Sequence, residues 1–178
     1  MKIFIAGSMT ISVLDKAVEE RLNNIHVKNY TVLVGDANGV DKAVQKYFFS
    51  RGYTNVIVFA SEGKARNNVG NWKIQKIDVP DYVKGFDYYT VKDKAMSDVA
   101  DYGFMIWNGE TKGTLNNIIN LIKSNKKTVV YLTKLNSFYN IDSMEKLQDL
   151  IDLCGQSARL IFDKLYKVPA KILLQTGL

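Results

Sequence analysis

Two stretches near the start of the chain decide the fold class: residues 1–11 read MKIFIAGSMTI, and residues 31–41 read TVLVGDANGVD. In each stretch, a short apolar run rich in β-branched residues ends at a glycine and is followed by a polar loop. Such a run predicts a buried strand, and apolar residues at helical spacing follow both loops. Strand, loop and helix therefore alternate from the first residues onward.

The same alternation continues along much of the chain. The patterns predict helices with apolar positions from Ile11 to Ile25, Val40 to Phe48 and Leu115 to Ile122. They predict strands at Lys2–Ala6, Thr31–Gly35, Asn55–Ala60, Tyr102–Trp107 and Lys127–Thr133. Apolar strands that alternate with helices indicate an α/β fold, with a mostly parallel sheet and helices on both faces.

Two regions depart from this rhythm. Residues 61–90 contain glycines, a proline and scattered aromatic residues, and they are predicted to form a long loop. Residues 141–167 give two helical patterns separated by Gly155, and Lys171–Gln175 has the pattern of a last strand after Pro169. We therefore expect a ligand-binding domain over residues 1–140 and a helical extension over residues 141–178 that packs on the same domain.

Composition excludes several classes of protein. The chain has 178 residues, of which 47% are hydrophobic and 24% charged, and this composition excludes a disordered protein. One cysteine (Cys154) and one histidine (His26) exclude an internal disulfide, a cysteine cluster and a multi-histidine metal site. We expect no metal and no cofactor. No apolar run is long enough for a membrane span and the start does not resemble a signal peptide, so a cytoplasmic protein without membrane contact is expected.

The net charge of +6 raises nucleic acid as a partner. The excess is spread over the whole chain, however, and no segment forms a basic tail or stripe. A mildly basic solvated surface is therefore favoured over a nucleic-acid groove.

Three predicted strand ends carry glycine-containing polar loops directly before helices: residues 7–11 (GSMTI), 35–41 (GDANGVD) and 108–114 (NGETKGT). In a parallel sheet, ligands bind beyond the carboxyl ends of the strands. Glycine allows close approach of the backbone, and the first amides of a helix can hold an anion. The three loops together therefore predict a site for a phosphate-bearing ligand, with hydroxyl donors from Ser8, Thr10 and Thr114.

Side chains outside the glycine loops add further candidates. The Arg66 guanidinium suits a phosphate, and the Asn67 amide suits a base edge or a ribose. Trp107, at a strand end, is interpreted either as core or as a stacking surface. Asp36, Asp41, Glu62 and Glu110 fall on or near the predicted ligand edge, and Asp41 and Glu110 are the candidate catalytic carboxylates.

These loops, with GKARN at residues 63–67, AD at 100–101 and WNG at 107–109, resemble the YspA-like branch of the SLOG superfamily. That superfamily includes the cytokinin-activating LOG enzymes and the DNA-processing protein DprA. The resemblance covers about residues 1–133. It implies a Rossmann-like fold that binds nucleotides or nucleotide-derived ligands, with the region of Lys92 beside the ligand, and it implies a homo-oligomer.

One departure from the family pattern bears on catalysis. LOG enzymes carry a PGGxGTxxE pattern whose glutamate takes part in the reaction, whereas the matching position here is Asn117 and the preceding glycine pair is missing. An amide cannot act as a carboxylate base or nucleophile. The Gly113–Thr114 part of the pattern is kept, and this combination favours binding over turnover.

We therefore predict a protein that binds an ADP-ribose-like ligand or a nucleoside phosphate, as a sensor or scavenger. An N-glycosidic-bond hydrolase or transferase acting on nucleotides is the first alternative, and a single-stranded nucleic-acid binder is the second. The predicted ligand-binding residues are Gly7, Ser8, Met9, Thr10, Gly35, Asp36, Ala37, Gly39, Asp41, Arg66, Asn67, Lys92, Trp107, Gly109, Lys112, Gly113, Thr114 and Asn117.

Overall fold

A computed structural model describes residues 1–166 of the chain, so the strand predicted at Lys171–Gln175 lies outside the described residues. Within that part, one sheet is formed by β1 (Lys2–Gly7), β2 (Thr31–Val34), β3 (Val56–Ser61), β4 (Lys73–Ile77), β5 (Tyr102–Trp107), β6 (Lys127–Leu132) and β7 (Ser137–Ile141). The helices described are α1 (Lys16–Val27), α2 (Val40–Phe49), α3 (Phe86–Val99), α4 (Lys112–Lys123), α5 (Met144–Cys154) and α6 (Gln156–Tyr166).

The sheet order is β4-β3-β2-β1-β5-β6-β7, and every neighbouring pair is parallel except β6 with β7. The chain builds one half of the sheet outward from β1 and then returns to the other side of β1 to build the second half. The carboxyl ends of β1 and β5 therefore flank the point where the strand order reverses, which is where open α/β sheets bind ligands.

The sheet has an apolar core on each face. Ile3 and Ile5 of β1 belong to one cluster with residues of α1 and α2, whereas Phe4 and Ala6 belong to the other, with residues of α3 to α6. Successive strand residues point to opposite faces, so a strand covered on both sides must be apolar throughout. The predicted Rossmann-like α/β fold, including the C-terminal helices, is confirmed.

Two local predictions were wrong, and one strand was not predicted. The stretch 61–90 is not one long loop, because it contains β4 and the start of α3. β4 (KIQKI) lies at the sheet edge with most of its residues exposed, so it lacks the apolar run that marks a buried strand. The first helix begins at Lys16 rather than near Ile11, and the antiparallel edge strand β7 was not predicted.

The C-terminal helices pack on one of the two cores. Leu147 and Leu150 of α5 and Phe162 of α6 are buried in the same cluster as Trp107 of β5. The division at residue 140 stays a prediction, although Ile141 lies in β7 and therefore in the sheet. Among residues 1–166, the model has no helix with the length and apolar character needed to cross a membrane.

Candidate functional site

A cleft of about 400 Å³ opens at the carboxyl edge of the sheet. The end of β1, the loop after β2, one face of α3 and the first turn of α4 form its walls. Its lining residues are Ala6, Gly7, Met9, Ala37, Asp41, Arg66, Phe86, Tyr89, Thr90, Lys92, Asp93, Thr111, Lys112, Gly113, Thr114 and Asn117. A smaller depression of about 280 Å³, lined in part by Met1, Ile3 and Phe104, contains none of the three predicted glycine loops.

The N-terminus of α4 faces this cleft. Asn108 Oδ1 accepts hydrogen bonds from the backbone N–H groups of Glu110 (2.9 Å) and Thr111 (3.1 Å), and so fixes the turn that starts the helix. The first helical turn contains no acidic residue, and a Cβ added to Gly113 would meet no atom within 4 Å. First-turn amides lack intrahelical partners, so this end of α4 offers donors and open space to an anion.

Ser8 joins two of the predicted loops and does not line the cleft. Its side chain is fully buried; Ser8 Oγ lies 2.6 Å from Thr111 Oγ1 and accepts a hydrogen bond from the Asn108 backbone N–H at 3.1 Å. The Thr111 hydroxyl also bonds the hydroxyl of Thr114 at 3.0 Å. Ser8 therefore holds the loop after β1 against the start of α4, whereas Thr111 and Thr114 line the cleft.

Below the cleft, a buried carboxylate holds two cations. Lys92 Nζ lies 2.7 Å from Asp36 Oδ1, and the Arg66 guanidinium donates to both carboxylate oxygens at 3.0 and 3.2 Å. Burial by itself raises the pKa of Asp36, but the hydrogen bonds from Arg66 and the charge of Lys92 outweigh burial and hold the pKa well below its usual range. Asp36 is therefore ionised and ties the loop after β2 to α3 and to the Arg66 loop.

Two further carboxylates line the cleft. Asp41 is buried and accepts a hydrogen bond from the Ala37 backbone N–H at 3.2 Å. Burial raises the pKa of Asp41 to about 7; the charge of Lys92 opposes this rise and that of Asp93 adds to it. Burial also raises the pKa of Asp93, against the lowering effects of Lys92 and of a hydrogen bond from Asn117. The cleft thus combines protonatable carboxylates with fixed cations.

Aromatic rings and cations alternate at the cleft wall. Lys112 Nζ lies 3.8 Å from the centroid of the Phe86 ring, and the Arg66 guanidinium carbon lies 5.3 Å from that of Tyr89. Such contacts hold a cation over the face of a ring. Lys112 and Tyr89 are exposed and the Arg66 side chain is partly exposed, so these groups are accessible to a ligand.

The structure brings ten of the predicted site residues to the cleft: Gly7, Met9, Ala37, Asp41, Arg66, Lys92, Lys112, Gly113, Thr114 and Asn117. Nine others lie outside its lining: Ser8, Thr10, Gly35, Asp36, Gly39, Asn67, Trp107, Gly109 and Glu110.

Several of these nine have structural contacts instead. Trp107 is fully buried in the core and donates its indole N–H to the Thr111 carbonyl at 3.1 Å. Asn67 donates to the Asp36 carbonyl at 2.8 Å, and Glu110 pairs with Lys134 at 2.6 Å on the surface. Glu110, a predicted catalytic candidate, is therefore directed away from the cleft.

Two glycines support the site by close packing. A Cβ on Gly35 would lie 2.4 Å from Asp41 Oδ2 and 3.1 Å from Lys92 Nζ, so both groups can pack this closely because Gly35 has no side chain. Gly39 has φ +74°, a conformation that favours glycine, and a Cβ there would lie 2.3 Å from the Met9 carbonyl oxygen.

The prediction did not assign four lining residues of α3 to the site: Phe86, Tyr89, Thr90 and Asp93. They recur at helical spacing, so they occupy one face of α3. The signal was present in the sequence, but the first three residues were assigned to the predicted loop.

The fold and the site together define a class: a Rossmann-like α/β protein with a cleft at the reversal point of its sheet, lined in part by the N-terminus of α4. Within residues 1–166, no group of three or more His, Cys, Asp or Glu side chains is arranged to hold a metal ion. No protein-family model matches the chain, and no curated protein matches it.

A similar solved structure is that of DNA processing protein A from Helicobacter pylori, which is described as having a unique single-stranded DNA binding mode. The two chains are 13% identical, and the structures superpose with a TM-score of 0.57. The match covers 94% of this chain and 80% of the other. At this identity the similarity shows the fold alone.

Proposed function

We propose that this protein binds a phosphate-bearing, nucleotide-derived small molecule in the cleft, as a sensor or scavenger, and that it belongs to the YspA-like branch of the SLOG superfamily. The observation that carries the proposal is the N-terminus of α4, which opens into the cleft beside Lys112 and Gly113.

The phosphate would lie at this helix end. The amides of the first turn and the helix dipole favour negative charge there, and no carboxylate of the helix competes for that position. Lys112, whose ammonium lies over the Phe86 ring, adds a positive charge at the same end. Lys92 is largely neutralised by Asp36, so its contribution is to position the walls rather than to bind the phosphate.

The nucleoside part would lie between α3 and the loops after β1 and β2. A volume of about 400 Å³ falls within the range typical of small-ligand sites. The rings of Phe86 and Tyr89 offer faces on which a base can stack, and stacking depends little on which base it is. The cleft is therefore suited to a mononucleotide or to part of a dinucleotide-like ligand.

Isothermal titration calorimetry with AMP, other nucleoside monophosphates, ADP-ribose and cyclic ADP-ribose tests this proposal. At least one of these ligands is expected to bind. Gly113→Asp puts a carboxylate at the helix end, which favours helix stability but repels a phosphate, and it should weaken binding tenfold or more. Lys112→Ala should also weaken binding.

Lys123→Ala, in the last turn of the same helix, is the matched control and should leave affinity unchanged. Binding of none of the ligands at millimolar concentration would contradict the proposal, and so would equal affinities of the wild type and Gly113→Asp.

Cleavage of an N-glycosidic bond is a second candidate, supported by the two protonatable carboxylates Asp41 and Asp93 in the cleft. The pKa of Asp41, which burial raises to about 7, suits general acid or base work near neutral pH. Incubation with the same nucleotides followed by chromatography would reveal a free base. If this function is correct, release should stop in Asp41→Asn; no release from any nucleotide removes the candidate.

Single-stranded DNA binding is a third candidate, because the similar structure from Helicobacter pylori is described as binding single-stranded DNA. The cleft carboxylates and the evenly spread charge of this chain favour a small ligand instead. Fluorescence anisotropy with labelled single-stranded DNA distinguishes DNA binding from small-ligand binding, since a DNA complex should weaken steeply as salt rises.

We also propose that the protein is a homo-oligomer. Light scattering would measure its molar mass in solution.

A further inference from the structure

Asn117 holds an acceptor without a partner inside the cleft. The residue lies in α4, one turn after Gly113, and its side chain is 4% exposed. Within residues 1–166, no donor reaches its Oδ1 atom. A buried acceptor without a hydrogen bond is costly, and native proteins seldom keep one. The Asn117 Oδ1 atom therefore indicates that a donor is brought to this part of the cleft from outside residues 1–166.

Two carboxyl groups add further acceptors near Asn117. Asp41 and Asp93 also line the cleft, and the Asn117 side chain lies close enough to Asp93 to affect its pKa. Donors dominate at the other end of the cleft, where the α4 amides, Lys112 and Thr114 lie. The start of α4 is thus a donor-rich end of the cleft, and Asp41, Asp93 and Asn117 form an acceptor-rich end. Lys92 and Arg66 also line the cleft and act on these carboxyl groups, but both cations are paired with Asp36.

The two ends suit different parts of one molecule. A phosphate dianion only accepts hydrogen bonds, so it fits the donor-rich end. A hydroxyl group can donate and accept, so it can pair with an amide oxygen and with a carboxyl group in either protonation state. Sugar hydroxyls therefore match the acceptor-rich end, whereas a deoxy position would leave acceptors unpaired.

Resting on the function proposed above, we infer that the cleft selects ribose over deoxyribose ligands, and that Asn117 Oδ1 accepts a hydrogen bond from a ribose hydroxyl. Asn117 is thus a specificity-determining residue for a ribose phosphate. The same selection disfavours DNA, whose sugars lack the 2′-hydroxyl.

The test compares pairs of ligands that differ by one hydroxyl. Calorimetry with AMP against 2′-deoxy-AMP and 3′-deoxy-AMP, and with ribose 5-phosphate against 2-deoxyribose 5-phosphate, measures the preference directly. For the wild type, at least one deoxy ligand should bind about tenfold more weakly than its parent, because the missing hydroxyl leaves a buried acceptor unpaired. Asn117→Ala should reduce this ratio to about twofold or less.

Asn116→Ala changes the neighbouring asparagine, which does not line the cleft, and should keep the wild-type ratio. Thermal unfolding shows whether each variant is folded. The ratio of ribose to deoxyribose affinities is measured on the wild type and needs no variant. It therefore tests the inference even if Asn117→Ala does not fold. Equal affinity for ribose and deoxyribose ligands overturns the inference but leaves the proposed function intact. Absence of binding by every ligand overturns both.

Discussion

The pKa of Asp41 provides a test of the cleft that needs no ligand. The Asp41 residue is 7% exposed, and burial raises the pKa of its carboxyl group from 3.8 to about 7. Between these two values the folded state holds a proton that the unfolded state has released. The free energy of unfolding contributed by this group is therefore highest below about pH 4 and falls as the pH rises through 7.

The size of this effect follows from the two pKa values. From about pH 5.5 to about pH 7.5, the contribution of Asp41 to the free energy of unfolding should fall by about 2 kcal/mol. Asp41→Asn removes the titration while keeping an oxygen that can accept from the Ala37 backbone N–H. The variant should therefore become more stable relative to the wild type, by this amount, as the pH rises.

Urea unfolding followed by circular dichroism at both pH values measures the difference. The difference in the free energy of unfolding between the two proteins is taken at each pH. Contributions from groups that titrate alike in both proteins then cancel. Asp87→Asn, on the exposed part of α3, is the matched control. A stability difference between Asp41→Asn and the wild type that stays constant over this pH range would refute the reasoning that burial keeps Asp41 protonated.

Three further predictions concern the scaffold, and each is tested by the free energy of unfolding in urea at neutral pH. Asp36→Ala should cost about 3–5 kcal/mol, because it leaves Lys92 buried without its partner; a loss below 1 kcal/mol would contradict a desolvated pair. Gly39→Ala should cost about 1–3 kcal/mol from its positive φ alone, and unchanged stability would show that the loop adapts. Leu147→Ala should cost about 2–5 kcal/mol and the exposed Leu153→Ala far less, if α5 belongs to the same cooperative unit as the sheet. Equal small effects would mean that the extension unfolds separately.

Much of the fold could be predicted because its elements carry local signals. The five buried strands are short apolar runs, and α2 and α4 show apolar residues at helical spacing. The two edge strands could not be predicted in this way. β4 and β7 face solvent on at least part of their length, so burial does not select apolar residues along them.

The candidate site was also predicted in part, because only some of its residues carry a local sequence signal. Glycine loops before helices are visible in the sequence, and they gave Gly113, Thr114 and Lys112 at the cleft. The sequence does not show which residues of these loops point into the cleft. Ser8 and Trp107 became structural contacts to Thr111, while Phe86 and Asp93 entered the site from α3.

The sequence by itself determined the alternation of strands and helices and the edge of the sheet where a ligand would bind. Both depend on the order of residues within about twenty positions of one another. Only the tertiary structure decided that Asp36 holds Lys92, 56 residues later in the chain, and that Asn117 faces the cleft with an unpaired acceptor. The pKa of Asp41 and the division of the cleft into donor and acceptor ends arise from groups on separate elements. Burial and charge act through space, and their effects appear only when the chain has brought these groups together.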